Sequence, residues 1–207
     1  MATATDTPRD PFALGALHSF YRLHAPIYDL TRPLILRGRR RVLEGLEPKP
    51  GHLVLDVGCG TGFSLPHLHA RGAEVVGIEP SEAMRDQAER RLDRSRLRER
   101  VRLESRPYGS HDEHAGRADR ILFSYSLSMI PCFGAVLQRA RADLRPGGRV
   151  GVVDFLAAWG PVAGLLTRSH VFLGGDRFSE LRRLFPRHSY SVHRGGLWSY
   201  YLFWGEV

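Results

Sequence analysis

LVLDVGCGTG, at residues 53–62, is the stretch that decides the fold. Its first half is a short apolar strand that carries one acidic residue, Asp56, near its end. Three glycines on alternate positions follow, and glycine lets a backbone turn sharply and approach a ligand closely. A second apolar run, residues 74–78, leads to Glu79, whose carboxylate can accept hydrogen bonds from ribose hydroxyls. The stretch therefore predicts a nucleoside-binding loop between two buried strands.

The spacing of the glycines separates this loop from other nucleotide-binding loops. A dinucleotide fingerprint needs GxGxxG and a helix amino terminus that receives the pyrophosphate. Here the third glycine, Gly62, comes one residue early, and Phe63 stands where the fingerprint needs glycine. No GK[ST] sequence follows, which excludes a Walker loop. The loop therefore favours S-adenosylmethionine, which has no pyrophosphate, over NAD or FAD.

Strands and helices alternate on both sides of this loop. We predict strands at residues 53–57, 74–78, 101–103, 120–123, 149–155, 189–193 and 199–204. Apolar residues at helical spacing predict helices after Ser81 and around residues 136–144 and 178–185. The alternation predicts an α/β fold with a doubly wound, mainly parallel sheet. The last two strands leave little room for a helix between them, so they should form an antiparallel edge.

The chain has 207 residues, which suffice for one domain with a full core but not for two ordinary ones. We expect a loose tail at residues 1–11 and a single domain at residues 12–207. That domain begins with a largely helical N-terminal segment, residues 12–45. Residues 156–175 are predicted to form an insertion, either a lid over the site or a surface that faces a membrane.

Composition predicts a cytoplasmic protein. Two cysteines provide no disulfide framework, which fits a reducing compartment. The first residues have no basic region followed by a long apolar stretch, so we predict no secretory signal. The longest near-apolar run, residues 155–166, is too short to span a bilayer.

The positive net charge of the chain is compatible with several kinds of partner and does not favour one of them. The formal net charge is +8, and Lys49 is the only lysine, so arginine carries nearly all of the positive charge. Such a surface favours anionic membranes, phosphates or nucleic acid, but it also fits a solvated surface without a partner. The arginine-rich residues 90–100 have no aromatic residues between them, so we predict no nucleic-acid partner. HDEH at residues 111–114 lacks a further Cys or His cluster, so we predict no bound metal.

Three motifs, VLDVGCGTG, GIEPSEAM and LRPGG, resemble those of the class I S-adenosylmethionine-dependent methyltransferase family over residues 53–155. The resemblance implies a seven-stranded Rossmann-like sheet with an antiparallel C-terminal strand. It also implies S-adenosyl-L-methionine as the cofactor and S-adenosyl-L-homocysteine as the product. The cofactor-binding residues that we expect on this basis are Asp56, Gly58, Cys59, Gly60, Thr61, Gly62, Glu79, Pro80, Met84 and Ser124. The helical spacing of Met84 is equally that of a core residue.

One position departs from the family pattern. Members often have an acidic residue after the third strand, where it touches the adenine amino group. This sequence has ESRPY at residues 104–108 instead. The residue that recognises adenine is therefore unassigned.

A narrower resemblance concerns the methyl acceptor. YDLTR at 28–32, LRGR at 36–39, SYSLSMIP at 124–131 and YYLFWG at 200–205 are similar to the methyltransferase part of betaine-lipid synthases. Those enzymes make diacylglyceryl-trimethylhomoserine. The resemblance implies an acceptor amine on a lipid-linked homoserine, which is methylated three times.

Residues beside the acceptor have predicted roles of their own. Methyl transfer from a sulfonium is an in-line displacement, so positioning supplies much of the catalysis. We expect Tyr28 and Tyr125 to be catalytic, with Tyr28 closing over the cofactor. Arg32, Ser126 and Met129 should bind the substrate, Arg32 by pairing with a carboxylate. Each role has a structural alternative, in which the tyrosines are core aromatics and Arg32 is a surface residue.

Three functions stay open on the sequence alone. The first is N-methylation of a lipid or lipid-like amine, with peripheral contact to an anionic membrane. The second is the same chemistry on a small soluble metabolite. The third is a regulator that binds S-adenosylmethionine and catalyses nothing.

Overall fold

A seven-stranded sheet organises the part of the chain that the structure, a computed structural model, describes: residues 36–110, 113–168 and 171–207. The predicted tail and most of the N-terminal segment, with Tyr28 and Arg32, lie outside the described residues. The described elements, in chain order, are α1 Arg39–Leu46, β1 Leu53–Val57, α2 Leu65–His69, β2 Glu74–Ile78, α3 Glu82–Arg94, β3 Val101–Glu104, β4 Ala118–Ser124, a 3-10 turn Leu127–Met129, α4 Phe133–Asp143, β5 Leu144–Ala158, α5 Gly160–Arg168, α6 Asp176–Leu184, β6 Arg187–Arg194 and β7 Trp198–Glu206.

The strand order is β3-β2-β1-β4-β5-β7-β6. The first five strands of that order pair in parallel, whereas β7 runs antiparallel to both β5 and β6. The chain builds outward from β1 to β3, and then continues on the other side of β1 with β4. This arrangement confirms the predicted doubly wound sheet and its antiparallel C-terminal edge.

Helices cover both faces of the sheet because its central strands are apolar on both faces. Val54 belongs to the cluster under α1, α2 and α3, while its neighbour Leu55 belongs to the cluster under α4 and α6. Successive strand residues point to opposite faces, so Asp56 lies on the face of Val54. The acidic residue is therefore on the side of the sheet that α1 to α3 cover.

β5 is longer than the sequence predicts at both ends. Leu144 already pairs with Ala118, and the pairing resumes at Arg149 after the RPGG segment, where Gly147 has φ +76°. At its other end β5 continues to Ala158 because β7 pairs with it that far. Residues 156–175 thus contain the end of β5 and all of α5, and their role as an insertion stays a prediction.

Among the described residues, none of the helices combines the length and the apolar character that a bilayer crossing requires.

Candidate functional site

The candidate site lies where the carboxyl ends of β2, β1 and β4 meet. These three strands are neighbours in the sheet, and the order of strands reverses between β1 and β4. Ligands of doubly wound sheets bind outside the strands at such a reversal. The glycine loop, Glu79 and the residues after β4 converge there, although they are far apart in the sequence.

Backbone hydrogen bonds fasten the glycine loop to the end of β2. The N–H groups of Gly58 and Cys59 both donate to the carbonyl oxygen of Ile78, at 2.8 and 3.2 Å. Gly62 then donates to the carbonyl oxygen of Cys59 at 3.0 Å. The loop is therefore a tight turn that is held against β2.

The three glycines of the loop are needed for different reasons. A Cβ at Gly58 would lie 2.5 Å from Cβ of Ser126, and one at Gly62 would lie 3.1 Å from Cβ of Ala88 in α3. These two glycines let the loop approach other parts of the protein. Gly60, with φ +57°, instead directs its N–H at Oε2 of Glu79, at 3.0 Å. A ligand contact at each of the three glycines stays a prediction.

Glu79 is held in one orientation at the edge of the crevice. Its Oε2 accepts from Gly60, and its Oε1 accepts from the N–H of Ser81 at 2.9 Å. Arg85 donates through Nη1 to the backbone carbonyls of Glu79 and Pro80. These contacts fix both carboxylate oxygens of Glu79 beside the glycine loop.

Asp56 is fully buried at the end of β1. Its Oδ2 accepts from Oγ of Ser64 at 2.7 Å, whereas its Oδ1 has no hydrogen-bond partner among the described residues. Burial raises the pKa of Asp56 to about 6; the Ser64 hydrogen bond and the Arg39 guanidinium lower it, and Glu79 raises it. At neutral pH the group is mostly a carboxylate with one open acceptor. A cationic amine of a ligand would satisfy that oxygen.

The other predicted cofactor residues line the same loop and its surroundings. Cys59, Thr61 and Met84 are buried, while Pro80 and Ser124 are partly buried. Burial raises the pKa of the Cys59 thiol well above its ordinary value, so Cys59 is an apolar contact rather than a nucleophile. Met84 belongs to the core face of α3, with Ala88 and Leu92.

Tyr125 joins the loop after β4 to the segment before α1. Its hydroxyl donates to the carbonyl oxygen of Arg37 at 2.7 Å, and its ring packs on Phe155 with centroids 4.7 Å apart. Burial, and then Asp154, raises the pKa of Tyr125 far above its ordinary value, so the phenol stays neutral. These contacts favour the structural alternative over proton transfer by this group.

Ser126 and Met129 also lie in the segment that follows β4. Oγ of Ser126 donates to the carbonyl oxygen of Val57 at 2.6 Å, so its hydroxyl joins the end of β1 to this segment. Met129 ends the 3-10 turn and is partly buried. Of the two, Met129 is the one whose side chain suits contact with an acceptor.

Two residues that the sequence analysis missed hold this turn. Oδ2 of Asp154 accepts from the N–H of Ser128 at 2.7 Å, and Nε of Arg177 donates to the carbonyl oxygen of Leu127 at 3.0 Å. An acidic residue inside the apolar run VVDF of β5 was a signal that could have revealed Asp154. Arg177 had no such signal, because its helix is rich in arginine throughout.

The described part of the HDEH segment is used in ion pairs. Nε2 of His114 lies 3.4 Å from Oε1 of Glu104, and the ligand atoms of Glu104, Glu113 and His114 lie within 4.8 Å of one another. Arg102 pairs with Glu104 at 2.8 Å, and Arg106 pairs with Glu113 at 2.6 Å. Both carboxylates are therefore already neutralised by arginine, and the absence of a metal stays a prediction.

Known proteins resemble the chain in sequence. The family described as "Methyltransferase domain" matches residues 55–150. A demethylmenaquinone methyltransferase of Corynebacterium efficiens is 31% identical over 168 residues, which are 79% of this chain and 68% of that protein. The nocamycin O-methyltransferase of Saccharothrix syringae is 36% identical over 133 residues, which are 62% of this chain and 47% of that protein.

Solved structures share the fold at low sequence identity. The Burkholderia thailandensis 1,6-didemethyltoxoflavin-N1-methyltransferase, solved with S-adenosylhomocysteine, superposes with a TM-score of 0.71 at 21% identity, over 100% of this chain and 94% of that one. The Haemonchus contortus phosphoethanolamine N-methyltransferase 2, solved with S-adenosyl-L-methionine, gives 0.69 at 14% identity, over 80% and 51% of the two chains.

Proposed function

We propose that this chain, which belongs to the class I S-adenosylmethionine-dependent methyltransferases, methylates an amine of a lipid or lipid-like acceptor. The enzyme uses S-adenosyl-L-methionine, which when bound supplies a methyl group on a positively charged sulfur. The observation that carries the acceptor part of the proposal is an exposed apolar surface that adjoins the 3-10 turn.

The residues at the ends of β1 and β2 suit the two polar parts of this cofactor. The open Oδ1 of Asp56 is a buried anionic acceptor, which matches an ammonium group. The oriented carboxylate of Glu79 matches a pair of ribose hydroxyls, and Gly60 leaves the loop between them without a side chain. The proposed role of the chain here is to bind and orient, because the displacement needs alignment more than proton transfer.

We assign to the apolar surface four large exposed side chains of α5, its flanking residues and the β6–β7 hairpin. Their exposed fractions are 49% for Trp159, 57% for Leu165, 46% for Phe172 and 52% for Leu197. The N–H of Phe172 donates to the carbonyl oxygen of Ser128 at 2.8 Å, so this surface reaches the turn directly. The N–H of Trp159 donates to the carbonyl oxygen of Leu197, which joins the residue before α5 to the β6–β7 hairpin. Such a surface beside an acceptor site suits an acyl chain.

The amine part of the proposal rests on the resemblance to betaine-lipid synthases. An amine attacks the methyl group only in its neutral form. A desolvated site that contains arginine lowers the pKa of an amine, and Arg39 lies on the site side of α1, with its guanidinium 4.8 Å from the Phe63 ring centroid. The proposed roles of Tyr28 at the cofactor and Arg32 at a substrate carboxylate complete this part.

The same surface supports a proposal of peripheral contact with an anionic membrane. α5 places apolar residues beside the exposed Arg168 at its C-terminal end, and Arg194 is exposed in the adjacent hairpin. Apolar side chains would insert at the boundary of the acyl chains while the arginines contact anionic headgroups. The formal net charge of +8 also favours attraction to an anionic membrane.

Transfer of a labelled methyl group tests the acceptor. The enzyme and labelled S-adenosylmethionine are incubated with a lipid extract, with a polar metabolite extract and with demethylmenaquinone, the acceptor in the name of the Corynebacterium relative. We expect label in a lipid amine, and none with Asp56→Asn. Label only in the polar extract would replace the lipid by a soluble metabolite. Tight cofactor binding without any labelled product would instead support a regulator.

Vesicle flotation tests the membrane contact independently of turnover. We expect the protein to float with vesicles of phosphatidylglycerol and phosphatidylcholine and to be released by salt. Trp159→Ser should reduce the floating fraction severalfold. Tyr190→Ser is the matched control, because Tyr190 is also aromatic and similarly exposed, at 47%, but lies in the middle of β6 and packs on Phe178 of α6. Equal flotation of the two variants would contradict the assigned surface.

A further inference from the structure

The 3-10 turn Leu127–Met129 lies next to the cofactor loop. It follows Ser126 directly, and Ser126 is the residue that Gly58 approaches. The turn therefore lies at the carboxyl end of β4, on the side of the crevice where a methyl acceptor would sit opposite the glycine loop.

The turn cannot hold its shape by its own hydrogen bonds. Met129 donates to Ser126 at 3.0 Å, and Ile130 donates to Leu127 at 3.2 Å. Such a short helical turn is unstable in isolation, because fixing its backbone costs more free energy than so few hydrogen bonds return. Contacts from elsewhere in the protein must therefore maintain it.

Asp154 holds the turn from β5. Both of its oxygens accept backbone N–H groups, Oδ2 from Ser128 at 2.7 Å and Oδ1 from Phe155 at 2.8 Å. The side chain is fully buried. Its hydrogen bond to Ser128 joins β5 to the middle of the turn, 26 residues away in the sequence.

Arg177 holds the turn from α6. Its Nε donates to the carbonyl oxygen of Leu127 at 3.0 Å, and its Nη2 donates to that of Ile130 at 3.2 Å. The guanidinium also lies over the rings of Phe133 and Phe172, at 4.5 and 5.3 Å from their centroids. A planar fork with several donors can span two carbonyls in this way, whereas a lysine ammonium is a single point of charge.

The location of these two charges argues for a role beyond stability. Burying a charged group costs free energy that apolar residues at these positions would not incur. Here the two charged side chains bond to the backbone of one short turn, and the N–H of Phe172 donates to the carbonyl oxygen of Ser128 in the middle of that turn. The polar contacts are thus concentrated on one short turn beside the cofactor loop.

We infer that Asp154 and Arg177 are positioning residues that hold the Leu127–Met129 turn in the shape that receives the methyl acceptor. This inference rests on the proposed methyltransferase function, but not on the acceptor being a lipid. Neither residue touches the reacting atoms, and both act through the backbone of the turn.

Arg177→Lys and Asp154→Asn test the inference, because both substitutions preserve size. We expect the affinity for S-adenosylhomocysteine to stay within about twofold of the wild type, and KM for the acceptor to rise about tenfold or more. Amide exchange in the peptide that contains Ser128 should become at least about tenfold faster, since each variant weakens hydrogen bonds that fix the turn. Arg183→Lys is the control, because Arg183 is exposed on the same helix and pairs with Glu180.

Each outcome decides a different point. Unchanged exchange at Ser128 in both variants would overturn the positioning role. Faster exchange with an unchanged acceptor KM would also overturn it, since the turn would then be structural only. If the wild type methylates a polar acceptor and no lipid, the lipid proposal fails alone, and the same KM comparison with that acceptor still decides this inference. Absence of turnover with every acceptor would overturn both.

Discussion

Two fully buried aspartates, Asp56 in β1 and Asp154 in β5, serve the two sides of the site differently. Burial raises the pKa of each to about 6. Both oxygens of Asp154 accept backbone N–H groups, whereas Asp56 retains one oxygen that no described residue occupies. Burial and pKa are therefore alike in the two groups. The remaining hydrogen-bonding capacity is what separates a carboxylate that can bind a ligand from one that holds the backbone.

Exchanging each aspartate for asparagine is the most direct test of this difference. Asp56→Asn should weaken the binding of S-adenosylhomocysteine about 100-fold, because an ion pair with the ligand ammonium is lost. Asp154→Asn should change that affinity by less than about twofold. Titration calorimetry at pH 7.5 measures both. Equal losses in the two variants would show that Asp56 has no special relation to the ligand.

The two sides of the site meet where Gly58 approaches Ser126. A Cβ at Gly58, where φ is +67°, would lie 2.5 Å from Cβ of Ser126. Gly58→Ala should therefore lower the free energy of unfolding by about 2 kcal/mol, through backbone strain and displacement of the loop. Gly134→Ala in α4 is the control, because open space surrounds that position and alanine favours a helix. Urea denaturation measures both, and unfolding midpoints that stay equal would contradict the assigned packing.

A third carboxylate of the site, Glu79, follows β2 and is proposed to bind the ribose of the cofactor. Glu79→Ala removes the acceptor of the Gly60 and Ser81 N–H groups and the proposed ribose contact. We expect S-adenosylhomocysteine to bind about tenfold more weakly, which corresponds to about 1.4 kcal/mol. Glu82→Ala, an exposed carboxylate in the first turn of α3, should leave the affinity unchanged. Calorimetry that found equal affinities for the two variants would place the ribose elsewhere.

The raised pKa values also predict a dependence of stability on pH. Each carboxyl group binds its proton more tightly in the folded protein, with a pKa of about 6, than in the unfolded chain, where it is near 3.8. The contribution of each group to stability therefore falls as the pH rises, by about 1 kcal/mol between pH 5 and pH 7. His52, whose pKa burial lowers, acts in the opposite direction in this window, so the test is the difference between the wild type and Asp154→Asn. That difference in unfolding free energy should fall by about 1 kcal/mol from pH 5 to pH 7, and a difference that stays constant would contradict the prediction.

The strands and the cofactor loop could be predicted because their signals are local. Apolar runs of strand length, and glycines on alternate positions after them, depend on neighbours within a few residues. The same reasoning located Glu79, since it follows the next strand directly. The prediction for β5 was too short because its last residues are stabilised by pairing with β7, through contacts such as Ala158 with Trp198.

For the segment after β4, proposed to face the methyl acceptor, the sequence predicted the location but not the hydrogen-bond partners of its side chains. Tyr125 and Ser126 were expected to act on ligands, yet their hydroxyls bond to Arg37 and Val57, which are distant in the sequence. No periodicity or spacing indicates where a hydroxyl finds its acceptor. The same is true of Arg177, whose two carbonyl partners lie about 50 residues earlier in the chain.

What the sequence determined by itself is the order of strands and helices, the turn at residues 58–62 and the carboxylates that flank it. These follow from backbone preferences and from the alternation of apolar residues, which act over short distances. Only the tertiary structure decided that Gly58 makes room for Ser126, that one oxygen of Asp56 has no partner among the described residues, and that Asp154 and Arg177 hold the turn after β4. Those properties arise when segments remote in the chain are packed together, because packing decides which polar atoms already have partners and which can still bind a ligand.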